Sequence, residues 1–159
     1  MWTTCPSPLG DLLVAAQDGA LVVVHFAPFE RPGGDPTPDD PLLTQAVREL
    51  GEYFAGTRKE FDVPVGPPGT PFQQAVWAEL RRVPYGETAT YSEIAARMGA
   101  PAAVRAVGSA NGRNPVGVLV PCHRVIGSDG NLRGYAGGVE RKLALLALER
   151  GAPAEGRLF

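Results

Sequence analysis

The stretch TYSEIAARMGAPAAVRAVGSA, residues 90–110, decides the reading of the fold. Thr90 precedes a short helical pattern and Glu93 stands three positions on, the spacing at which a threonine and a glutamate cap a helix reciprocally. That helix stops near Met98, because Gly99 suits the left-handed backbone that ends helices. Pro101 then starts a second helix that continues to about Ala110. Two short helices joined by a tight glycine-containing turn make the pattern of a helix-turn-helix. The second helix is composed almost wholly of small residues, with Arg105 its one long cation. Small side chains permit close approach to another surface, which is either a nucleic-acid duplex or the protein's own core.

Upstream, Thr70-Pro71-Phe72-Gln73 is another capping box and opens a helix to about Arg82, ended by Pro84-Tyr85-Gly86. Residues 66–69, GPPG, read as a linker that divides the chain into 1–69 and 70–159. In the first part, LLVAA (12–16) and ALVVVHF (20–26) flank the turn Gln17-Asp18-Gly19 and predict a hairpin. Residues 27–41 are crowded with Pro, Gly and Asp and form a loop. Asp40 caps a helix whose first residue is Pro41 and which reaches about Phe54. Downstream of the helix-turn-helix, Asn114-Pro115 turns the chain into an apolar run, 116–120, that reads as a buried strand leading into PCHRV (121–125). A turn follows at Gly127 to Gly130. Residues 138–150 make a last amphipathic helix, with Leu143, Leu146 and Leu148 among its apolar positions. No internal repeat is present.

The 159 residues suit one domain or two small ones, and 44% hydrophobic content excludes a largely disordered chain. No apolar run approaches the ~20 residues of a membrane helix, and the start, MWTTCPSPLG, lacks the basic and apolar regions of a signal peptide. The expected compartment is therefore the cytoplasm, where Cys5 and Cys122 are free thiols. Residues 1–69 carry four basic and ten acidic side chains, and residues 70–159 eleven and seven. The halves thus hold −6 and +4, which together make the net −2. A polyanion would meet the second half; mere surface composition is the other account.

Cys122 follows the apolar run and a proline, with His123 and Arg124 beside it. A thiolate is a strong nucleophile, nearby cations favour it, and a histidine can take the thiol proton near neutral pH. The alternative is a buried structural cysteine. Adjacent residues of a strand point to opposite faces, so contact between Cys122 and His123 needs a sharp turn or a bridging water. No glycine-rich dinucleotide fingerprint follows a strand, so a bound methyl donor has no support. Cys5 and His25 are too few for a structural zinc site, and both are assigned to packing.

PCHRV, preceded by RAVGSANGRNP (105–115) and followed by GYAGG (134–138), resembles the O6-alkylguanine-DNA alkyltransferase family from about Thr70 to Gly151, and more weakly before it. The resemblance implies an α+β chain: a small N-terminal α/β domain, ribonuclease-H-like, and a C-terminal winged-helix-like helical domain. It implies repair of double-stranded DNA by a monomer; no cofactor is expected, and no metal, since the zinc ligands of some relatives are not matched here. The alkyl group of a flipped-out O6-alkylguanine, or O4-alkylthymine, would pass irreversibly to Cys122 in a single turnover. His123 would deprotonate Cys122 through a water, Glu149 would orient His123, and Asn114 would hold the active-site turn. Tyr91 would bond the guanine and help neutralise it as it leaves, and Arg105 would fill the gap left in the stack. Main-chain contacts to the base would come from Cys122, Val125 and Ala136; Arg124 and Lys142 complete the expected substrate and DNA contacts. Ala136 stands where some relatives have serine.

Two other functions use the same residues. A cysteine hydrolase would employ Cys122 and His123 with repeated turnover. A non-catalytic damage sensor would keep the helix-turn-helix but need no Cys122.

Overall fold

The computed structural model describes residues 1–130, 135 and 137–151. The predicted hairpin is present as β2 (Leu12–Gln17) and β3 (Ala20–Phe26). Asp18 and Gly19 carry φ of 52° and 80°, the left-handed pair that a two-residue turn requires. A further strand, β1 (Trp2–Cys5), pairs antiparallel with β2 to give the order β1-β2-β3. Four residues followed by a proline carry no alternation signal, so only the pairing with β2 makes them a strand.

Helix α1 (Pro41–Phe54) begins as expected: the Asp40 carboxylate accepts from the Leu42 and Leu43 amides. Its buried side, Leu43, Ala46, Leu50, Tyr53 and Phe54, covers the sheet. The open edge of β3 is closed twice. Leu21 donates to Pro64 O and accepts from Gly66 N; Val24 donates to Pro115 O (2.9 Å) and accepts from Gly117 N (3.0 Å). The second pairing fastens the segment that leads to Cys122 onto the N-terminal sheet.

The second half is helical. Both capping boxes are formed, on α2 (Pro71–Leu80) and α3 (Tyr91–Arg97). Arg81 caps α2, one residue short of the expected end. Gly99, at φ 71°, ends α3 as expected. The next helix, α4 (Val104–Gly112), starts three residues later than Pro101. Residues 100–103 are spent on the turn itself, where Ala103 N donates to Ala100 O and the fixed φ of Pro101 follows a helix end. Trp77 of α2 donates its indole N–H to Ala110 O (2.9 Å), which locks α4 against α2. Two short strands, β4 (Ala89–Thr90) and β5 (Val125–Ile126), pair in parallel and set Tyr91 beside the segment after Cys122. The last helix is α5 (Val139–Glu149).

Three expectations fail. Residues 116–120 are buried but form a turn, not a strand, because their main-chain groups bond locally and to the edge of β3. Leu146 and Leu148 are buried as expected, but Leu143 is 42% exposed, and Lys142, Leu145 and Glu149 join the inner side of α5. Cys5 is buried, but His25 is exposed on β3. No helix of the described residues is long and apolar enough to cross a membrane.

Candidate active site

The turn that presents Cys122 is built by Asn114. Its Oδ1 accepts from Val116 N (3.0 Å), and its Nδ2 donates to Val120 O (2.8 Å) and Val116 O (3.4 Å). Val118 sits at φ 70°, unusual for a β-branched residue. Such backbone persists only where its surroundings enforce it, and Asn114 bonds both sides of it. Residues Cys122–Arg124 then form one turn of 3₁₀ helix. That turn removes the opposite-face geometry of a strand and lets Cys122 and His123 both face inward.

Cys122 is 4% exposed and His123 fully buried. Burial raises the Cys122 pKa above its ordinary value, and the Asn114 side chain and the Lys142 charge pull partly back. The resting group is thus a thiol that needs a base. Burial lowers the His123 pKa, against the opposing pull of Glu149, so the imidazole is neutral at physiological pH. His123 Nε2 lies 2.7 Å from Glu149 Oε2. Burial alone would raise the Glu149 pKa, but hydrogen bonds from His123 and Arg124 outweigh it and hold the carboxyl far below the usual range. An ionised carboxylate only accepts, so Nε2 carries the proton and Nδ1 is left with its lone pair. Nδ1 is buried with no hydrogen-bond partner among the described residues. It is the unprotonated ring nitrogen.

Glu149 holds more than His123. Arg124 forks onto it, Nε to Oε1 at 2.8 Å and Nη2 to Oε2 at 3.0 Å, and donates Nη1 to Val83 O. Arg124 is 7% exposed. This corrects the expectation that Arg124 contacts substrate or DNA: the buried carboxylate takes its guanidinium, since neither charge could be buried alone. Lys142 is fully buried beside Cys122 and donates Nζ to Val125 O. Val125 N donates to Cys122 O, so both main-chain polar groups of Val125 are held within the site. Tyr91, the first residue of α3, is half-buried near Cys122; burial and that neighbour raise its pKa, and Asn111 lowers it in part. It remains a neutral phenol and a donor. Arg105 is exposed on α4 and makes no ion pair among the described residues. Ala136 lies outside the described residues.

Two family models match the chain. One, described as 6-O-methylguanine DNA methyltransferase, DNA binding domain, covers residues 71–151. The other, 6-O-methylguanine DNA methyltransferase, ribonuclease-like domain, covers residues 1–67. The chain belongs to the 6-O-methylguanine DNA methyltransferase family. The methylated-DNA–protein-cysteine methyltransferase of Mycobacterium tuberculosis is 48% identical over 99% of this chain and 98% of its own length. The constitutive methylated-DNA–protein-cysteine methyltransferase of Bacillus subtilis is 45% identical, covering 94% of each. The crystal structure of the M. tuberculosis protein, OGT, in complex with DNA superimposes with a TM-score of 0.92 over 99% of this chain and 98% of that one.

Within this methyltransferase fold, two polar residues of the site escaped the reading of the sequence. Asn111 is 1% exposed and its Nδ2 lies 3.5 Å from Cys122 O. Its cue was available: it follows Val104 and Val107 on one side of α4, an amide in an apolar stripe. Tyr53 bonds Glu149 from α1 across 96 positions of sequence. It reads as one more core aromatic beside Leu50 and Phe54, and nothing local marks its hydroxyl.

Proposed function

We propose that this chain repairs alkylated double-stranded DNA by transferring the alkyl group of O6-alkylguanine to Cys122. The observation that carries the reading is the buried series Glu149, His123 and Cys122, with the lone pair of His123 Nδ1 unclaimed. The Cys122 proton passes through a water to Nδ1. The thiolate Sγ attacks the alkyl carbon, the S–C bond forms as the C–O6 bond breaks, and the electron pair leaves with the guanine. The guanine regains a proton at N1, balancing the one lost by the thiol. Glu149 stabilises the transient imidazolium. Tyr91 donates a hydrogen bond to the departing base, and the Val125 carbonyl accepts one from it. A thioether is a poor leaving group, so each molecule acts once.

The base must leave the stack to reach a thiol that is 4% exposed. The small-residue helix α4 would lie close to the duplex, with Arg105 entering where the base departs. The +4 charge of residues 70–159 supports binding to phosphates. All the groups of the reaction come from one chain, which suits a monomer, and free thiols suit the cytoplasm. Intact-protein mass spectrometry after mixing with O6-methylguanine DNA tests the reading. One methyl on Cys122 and none on Cys5 is expected, with no transfer by Cys122→Ser. A methyl at another residue, or continued turnover, overturns it.

A further inference from the structure

The proposed relay does not end at Glu149. Tyr53 Oη donates to Glu149 Oε2 at 2.6 Å, on the same oxygen that His123 Nε2 meets at 2.7 Å. Tyr53 is fully buried in the last turn of α1, so it reaches the site from the N-terminal half. Its ring is held on three sides: edge-on to Phe54 (5.3 Å between centroids) and Tyr85 (6.2 Å), and tilted against Phe61 (5.5 Å). These contacts leave the hydroxyl little freedom of direction. Arg124 and the Gly86 amide occupy Oε1, so Tyr53 is the neutral donor that shares Oε2 with the imidazole and one arm of Arg124.

We propose that Tyr53 is a positioning residue through which the N-terminal half sets the basicity of the His123–Glu149 pair. The idea rests on the relay proposed above. A hydrogen bond to Oε2 both fixes the carboxylate and draws off part of the charge that would stabilise an imidazolium. Removing it leaves Oε2 more basic toward His123, so the imidazole protonates at higher pH. Four of the groups around the pair do not compete in that range. Burial raises the pKa of Tyr53, Tyr85, Tyr135 and Cys122, so all four stay neutral. Burial lowers the pKa of Lys142, and Cys122 opposes that fall only in part.

The test is the pH profile of the single-turnover rate with free O6-benzylguanine, on full-length Tyr53→Phe. Its acid limb should move to higher pH than wild type, because the pair is more basic, and the rate at neutral pH should fall roughly fivefold, because the carboxylate is no longer fixed by a hydrogen bond of ordinary strength. Affinity for undamaged duplex should not change. A fluorotyrosine at position 53, the same shape but a stronger donor, should move the limb to lower pH, and it keeps the test available if Tyr53→Phe folds poorly. In a Glu149→Gln background Tyr53→Phe should have no further effect on the limb. A Tyr53→Phe limb and rate equal to wild type, with Glu149→Gln slow, overturn the role of Tyr53 alone. A wild-type rate in Glu149→Gln overturns the relay and this inference with it. A lower melting temperature with an unshifted limb reduces Tyr53 to a packing residue, which also refutes the proposal.

Discussion

Glu149→Gln changes one oxygen for an amide nitrogen and little else, yet the surroundings of this carboxylate make the substitution severe. Oε2 faces donors from Tyr53, His123 and Arg124, and Oε1 faces Arg124 Nε and the Gly86 amide. Every neighbour donates. A glutamine can satisfy one set with its oxygen, and the better choice is the position with three donors. Its NH2 group then points at Arg124 Nε and Gly86 N, donor against donor. Arg124, 7% exposed, also loses its counter-charge. Breaking one side of a buried ion pair typically costs about 3–5 kcal/mol. For a chain of this size each kcal/mol lowers the melting temperature by roughly 2–4 °C, so a fall of roughly 6–20 °C is expected. The imidazole keeps an acceptor at Nε2, hence its tautomer, but its protonated form loses the adjacent charge. The alkyl-transfer rate should therefore fall by roughly ten- to a hundredfold, part of what general-base catalysis contributes. Calorimetry and single-turnover transfer from O6-methylguanine DNA, run well below the melting transition, measure the two effects separately. The pH dependence adds a signed check. The Glu149 pKa is depressed in the folded state, so its stabilisation is complete above the ordinary carboxyl value of 4.5 and fades as pH falls toward the folded value. The stability gap between wild type and Glu149→Gln should be constant above that point and shrink below it. A variant that melts within about 2 °C of wild type and transfers at the wild-type rate would refute both the charge pairing and the relay.

Arg105→Ala should slow repair of duplex DNA roughly tenfold more than reaction with free O6-benzylguanine, because an inserted side chain offsets part of the cost of unstacking; equal losses on both substrates would assign Arg105 to the pocket or the fold. Arg105→Lys should rescue only in part, since it lacks a planar group that stacks. Asn114→Ala removes three hydrogen bonds from the Cys122 turn and strands buried groups of Val116 and Val120, each worth about 1–3 kcal/mol. Its melting temperature and its transfer rate should both fall, and an unchanged rate would show that the turn holds itself. Because His123 is buried neutral, its lowered pKa makes the unfolded chain bind the extra proton first. Stability should therefore decline as pH falls through the unfolded value of 6.5 toward the lower folded one, and His123→Gln should flatten that part of the decline in chemical denaturation series. A wild-type slope in His123→Gln would mean that the imidazole is already charged in the folded protein.

What the sequence determined by itself is local and periodic. The capping boxes at Thr70 and Thr90, Asp40 with Pro41, the Asp18-Gly19 turn and Gly99 at a helix end all act within a few residues of themselves, so their physics is written in adjacent letters. The cysteine, its histidine and the turn asparagine were legible through the resemblance of a short motif to a family, where the residues alone left a structural cysteine equally open. Tertiary structure decided whatever depends on partners distant in the chain. Residues 116–120 have the composition of a strand but bond to Asn114 and to the edge of β3, and become a turn. Lys142 and Glu149 lie on the inner side of α5 and Leu143 on the outer, because Val125 and Arg124 supply buried partners that hydrophobic periodicity does not register. Arg124 exchanged an expected place near DNA for an ion pair in the core, and Tyr53, a core aromatic by pattern, acquired a polar role only when α1 came to rest beside Glu149. A buried charge or hydroxyl is stable only against its partner, and no window of sequence contains both.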